Sequence, residues 1–137
     1  ADNGGRTINK KIEKFCKSDS NKYKVIKNLG QLRYLSAMKH VDLLIGNTSS
    51  GIIEAASFGK PVVNIGNRQL GRQKGVNIID CSIENLEKSI NLALSKSFIK
   101  KCNNQTNIYG DGKSAKLIVN ELTDHPLSIV KKFIDIK

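Results

Sequence analysis

The sequence has no tryptophan, and its three tyrosines and four phenylalanines bring aromatics to only 5%. That supply of large rings is ordinary for an α/β domain and lean for a thick β-sandwich. Cysteine is scarce as well. Cys16, Cys81 and Cys102 are odd in number and show no CxxC or His-rich spacing. This argues against a structural zinc site or a disulfide framework and fits small residues in a reducing cytoplasm. No apolar run reaches the roughly 18 residues of a membrane-crossing helix. The polar opening ADNGGRTINKK does not read as a signal peptide. With no initiator Met, the chain is expected to be a fragment.

Acidic residues are the other shortage: 12 against 23 basic ones, for a formal charge of +11. Such a balance suits nucleic acid, an acidic membrane surface or an anionic ligand. The lysines are spread along the whole chain, without a dense basic block and interleaved aromatics. The pattern therefore disfavours nucleic acid and membrane as partners. A lysine-rich surface without a message and a small anionic ligand both remain open.

The 137 residues suffice for one domain. Ile8, Ile12 and Phe15 recur at helical spacing, which predicts a helix over 7–16 after the Gly4-Gly5 turn. KYKVIKNL (22–29) reads as a strand, and QLRYLSAMKH (31–40) as a helix with Leu32, Leu35 and Met38 on one face. VDLLIGN (41–47), VVNIG (62–66) and VNIID (76–80) read as strands. A helix over 51–58 ends at Gly59-Lys60-Pro61, a Gly-then-Pro stop. Ser82 is placed to cap the next helix, with Ile83, Leu86, Ile90 and Ala93 as its buried stripe. Further helices are expected near 95–103, over 114–122 and in the tail from Pro126. Short apolar strands alternating with helices predict an open parallel sheet, Rossmann-like, with helices on both faces. Ligands of such sheets bind at the carboxyl ends of the strands.

One of those ends is NTSSG (47–51). The first turn of a helix offers free backbone N–H groups and the positive end of a dipole. Thr48, Ser49 and Ser50 add hydroxyls, Gly51 admits a close approach, and none of these residues is acidic. The same hydroxyls are also good helix caps, so the loop reads as a phosphate cradle or as a plain cap. Glu54 follows by one turn, suited to a ribose diol or to the helix dipole. Arg68 and Arg72 follow the next strand and suit either phosphate oxygens or solvent. The Gly-Asp-Gly turn at 110–112 is a second constrained loop. His40 and His125 have no partner at metal or triad spacing, and no nucleophile–base or carboxylate pair is visible.

GNTSSGIIEAASFGKPVVNIGNRQLGR (46–72), with NIYGDGKSAKLI (107–118) and DNGGR (2–6), closely resembles the C-terminal half of hydrolysing UDP-N-acetylglucosamine 2-epimerases of sialic- and nonulosonic-acid synthesis. The resemblance covers most of 1–122 and implies one of the two Rossmann-like domains of a GT-B-type enzyme, with 123–137 as a tail. It implies that Leu29 or Gly30 touches the uracil. Thr48, Ser49, Ser50, Gly51 and Arg68 would hold the diphosphate, and Glu54 the ribose. Asp2, Gly4 with Gly5, and Asp111 would lie near the sugar. The acid–base carboxylates are expected on the N-terminal domain of the same enzyme, so no catalytic residue is assigned to this chain. No metal or cofactor is implied, and relatives of this kind act as homo-oligomers.

Two departures accompany the resemblance. Thr48 and Ala56 stand where many relatives have Ser and Pro, and the family's first strand would fall before Ala1. Its absence would expose an unpaired sheet edge, with poor stability or association. The implied chemistry is conversion of UDP-GlcNAc to N-acetylmannosamine and UDP by anti elimination through a 2-acetamidoglucal. The alternatives are a UDP-N,N'-diacetylbacillosamine 2-epimerase or another GT-B sugar-nucleotide enzyme and, more distantly, a basic nucleic-acid-binding module.

Overall fold

The computed structural model describes residues 4–125. Asp2 and the expected tail helix lie outside them. The chain divides into two compact units, Ala1–Ala37 and Met38–Lys137, with the division falling inside a helix.

In the first unit, α1 (Gly5–Cys16) starts at Gly4, whose left-handed φ of 85° turns the chain into the helix. The expected apolar residues are on this helix, yet none of its residues is buried. The rings of Phe15 and Tyr23 pack with centroids 4.6 Å apart. KYKVIKNL is not a strand: it has no regular structure and pairs with nothing in the described sheet. A strand exists through its ladder, and apolar content alone cannot supply one. Asn28 Oδ1 then accepts from the Gly30 amide at 2.7 Å, where α2 (Gly30–His40) begins. Of its expected apolar face, Met38 is buried while Leu32 is exposed.

The second unit is built on three parallel strands in the order β1 (Leu44–Gly46), β2 (Val62–Ile65), β3 (Ile78–Cys81). Leu44 pairs with Val62 and Val62 with Ile78, which fixes the register across all three. Parallel strands need crossovers. Between β1 and β2 the crossover is α3 (Ser49–Ile53) and a 3-10 turn, Ala55–Phe58. The expected 51–58 helix therefore starts two residues early and breaks at Glu54. Gly59 ends it in the left-handed region, at φ 61°.

β2 is covered on both faces. Val62 points at α3, and Val63, which alternates to the other face, is fully buried. After β3 comes a 3-10 turn, Ile83–Asn85, followed by α4 (Leu86–Ala93), α5 (Lys96–Asn103) and α6 (Ser114–Asp124). α4 packs on β2 and β3 through Ser89 and Ala93, both buried. The expected stripe is corrected at its start. Ile83 is 75% exposed because the first turn winds as a 3-10 helix, which rotates it off the sheet. Ser82 makes no capping bond to that turn. All three cysteines are free thiols, and burial pushes that of Cys102 up. Among the described residues, no helix is long and apolar enough to cross a membrane.

Candidate functional site

Because the strands are parallel, the 47–51 loop, the 66–75 loop and the 80–82 corner all leave the same edge of the sheet. In the first loop Thr48 caps α3, its Oγ1 accepting from the Ser50 amide at 3.3 Å. The Ser50 hydroxyl donates to Glu54 Oε2, so the serine and the carboxylate one turn later form a local pair. Ser49 is exposed.

Gly51 has a different role from the one its place in the loop suggests. It is buried, and a Cβ there would meet Val62 Cγ1 at 3.1 Å. Its missing side chain lets α3 sit closely on β2. That is a packing requirement of strand-loop-helix folds, distinct from a ligand's approach to the backbone.

The second loop carries Arg68 and Arg72, both exposed, around a buried Gln69. Gln69 Nε2 donates to the Asn47 carbonyl at 2.7 Å, tying this loop to the NTSSG loop. Further along, Lys74 Nζ bonds both oxygens of Asp80, at 2.9 and 2.7 Å. Asp80 is opposite Asn64 in the ladder and accepts from its side chain at 2.7 Å. Burial raises the Asp80 pKa, but Lys74 and Asn64 outweigh it and hold the carboxyl below its ordinary value.

A further loop, NIYGDGK, is bonded to the β1–β2 crossover and to the 66–75 loop. Asn107 Nδ2 donates to the Ile53 carbonyl at 2.9 Å and to Ser57 Oγ at 2.7 Å. The Tyr109 hydroxyl donates to the Gln73 carbonyl at 2.7 Å. Gly110 and Gly112 sit at φ 122° and 88°, which glycine tolerates. Asp111 turns toward its own loop. It accepts from the Lys113 amide at 3.2 Å and pairs with the Lys113 ammonium, which pulls its pKa down.

Thr48, Ser49 and Ser50 thus lie on one of two tied loops of the second unit and Arg68 on the other, with Glu54 following at the C-terminal end of α3. Leu29 and Gly30 belong to the first unit, where they line a concavity of about 510 Å³ with Ile26, Asn28 and Tyr34. A larger cavity, about 910 Å³, opens at the ends of β2 and β3 beside Asn67, Asp80, Ser82 and Lys88. No group of metal-ligating side chains occurs among the described residues.

Gln69, Asn107 and Tyr109 were not singled out in the sequence, although each lies inside a quoted motif. Their function is to bond distant backbone carbonyls, and no residue pattern announces such a bond.

Residues 1–123 match the family described as UDP-N-acetylglucosamine 2-epimerase. The chain is 44% identical over 98 residues to the "GDP/UDP-N,N'-diacetylbacillosamine 2-epimerase (hydrolyzing)" of Campylobacter jejuni, covering 72% of this chain and 26% of that protein. It is 36% identical over 129 residues to the "UDP-N,N'-diacetylbacillosamine 2-epimerase (hydrolyzing)" of Legionella pneumophila, covering 93% and 33%. It is 28% identical over 131 residues to the "UDP-N-acetylglucosamine 2-epimerase" of Neisseria meningitidis, covering 91% and 34%. The chain spans about a third or less of the length of these relatives. It belongs to the UDP-N-acetylglucosamine 2-epimerase family.

Proposed function

From that membership we propose that the chain is the UDP-binding part of a hydrolysing 2-epimerase acting on UDP-N-acetylglucosamine. The observation that carries this reading is the bond from Gln69 to the Asn47 carbonyl. It places an arginine-bearing loop against a hydroxyl-rich one at the ligand-binding edge of a parallel sheet.

In this reading Thr48, Ser49 and Ser50 hold the diphosphate through hydroxyls and amides. Arg68 offsets its charge, and Glu54 accepts from the ribose hydroxyls. These interactions favour departure of UDP as the C1–O bond breaks, since the charge developing on the leaving oxygen is met by fixed donors. Loss of the C2 proton and of UDP gives a 2-acetamidoglucal. Water then returns a hydroxyl to C1 and a proton to the other face of C2, yielding N-acetylmannosamine. The proton-transferring groups belong to the other domain of the enzyme, and Leu29 and Gly30 are assigned to the uracil.

A second reading, UDP-N,N'-diacetylbacillosamine as substrate, is favoured by the names of two relatives. Both substrates share UDP and a C2 acetamido group, so the residues assigned here serve either. The test is to give each sugar nucleotide to the full-length enzyme and follow UDP release and the configuration at C2. Release from UDP-N-acetylglucosamine with inversion supports the first reading, and release from the other sugar alone supports the second. No release from either, together with no UDP binding, would overturn both. Glu54→Ala is expected to weaken UDP more than free diphosphate, read by calorimetry. Equal losses for the two ligands would remove the ribose assignment.

A further inference from the structure

The 66–72 segment leaves β2 as a run of turns and presents two arginines to solvent. Such a loop is ordinarily mobile unless side chains hold it. Gln69 is only 4% exposed within it, which is unusual for a residue with two polar ends. One end is committed: its Nε2 donates to the Asn47 carbonyl, and only the NH₂ end of the amide can donate to a carbonyl. The other end, Oε1, is buried and has no hydrogen-bond partner among the described residues.

A buried amide is a poor choice for stability alone, because its polar atoms must be drawn from bulk water. An apolar side chain of similar volume would fill the site at lower cost. The glutamine is therefore explained by the bond it makes. That bond spans 22 residues and joins the arginine loop to the loop of hydroxyls.

On the reading given under Proposed function, we infer that Gln69 is a positioning residue for the nucleotide. It locks the Arg68 loop to the NTSSG loop before ligand arrives, so that the guanidinium and the hydroxyls form one preset diphosphate clamp. It touches no substrate itself and acts through Arg68. Setting two groups in advance removes the cost of ordering them on binding.

The inference separates affinity from stability. Gln69→Met keeps the volume and loses the bond. In the full-length enzyme it is expected to weaken UDP binding about tenfold, the scale of losing one buried hydrogen bond. The melting temperature should stay the same or rise. In an Arg68→Ala background the same substitution should cost no further affinity, because the group it positions is gone. Gln69→Leu is the second variant should Gln69→Met not fold.

Unchanged UDP affinity, or an equal loss with and without Arg68, would overturn the inference. If the unaltered enzyme does not bind UDP, the functional reading fails separately, and hydrogen exchange in the ligand-free enzyme then decides the lock. Amides of 48–51 and 66–72 losing protection together in the variant would support it. Unaltered exchange in both loops would sink it.

Discussion

β2 and α1 both carry apolar residues at the spacing their geometry requires, yet they bury them to opposite extents. β2 hides Val62 and Val63 at 3% and 0% exposure, whereas α1 leaves Ile8 and Phe15 at 56% and 59%. The difference lies in what surrounds each element. β2 has a strand on either side, α3 against one face, and a second face that is also closed. α1 presents an apolar stripe that contributes no buried residue. Amphipathic pattern states a capacity for burial, and pairing realises it.

The largest test of this contrast places a charge in each element. Val63→Asp strands a carboxylate in the closed core and should cost about 4 kcal/mol or more, enough to unfold the sheet unit. Ile8→Asp should change stability by about 0.5 kcal/mol or less. Chemical denaturation of the two variants measures the gap, and similar losses would break the comparison. A smaller effect probes how tightly β2 is covered. Gly51→Val forces a side chain against Val62 and should destabilise by about 1–3 kcal/mol. A variant as stable as the parent would mean that α3 can move off the strand freely.

The smallest effect concerns the rim of the sheet. Asp80 is held below its ordinary value of 3.8 by Lys74 and Asn64, so the unfolded chain binds that proton more readily than the folded one. Its contribution is complete above that ordinary value and is lost as pH falls through the depressed one. The Asp80 side chain is half exposed, so Lys74→Met should cost under about 1 kcal/mol at neutral pH. The gap between variant and parent should narrow in acid titrations of stability as pH falls below Asp80's ordinary value. A constant gap down to pH 2 would show that Lys74 acts through packing of its stem.

Much of this was legible in the sequence, for identifiable reasons. VVNIG followed a Gly-Lys-Pro stop and read as a buried strand, as it is. KYKVIKNL misled because its apolar content says nothing about a neighbour to pair with. Ile83 misled because one turn wound as 3-10 shifts the helical phase. At the site, the hydroxyls, Glu54 and Arg68 were visible as residue types at strand ends. Gln69, Asn107 and Tyr109 were not, since each acts on a backbone carbonyl that any residue could supply.

Gly51 bears on how variant libraries of this protein should be interpreted. A selection for soluble expression alone, with no nucleotide in the assay, would already deplete bulky residues at 51 because of Val62. The exposed Ser49, two positions earlier, would be spared. Depletion at Gly51 is therefore silent about nucleotide. Depletion at Ser49 that appears only when activity is selected would be the informative signal. Two letters of one motif, separated by a single residue, would answer to different selective pressures.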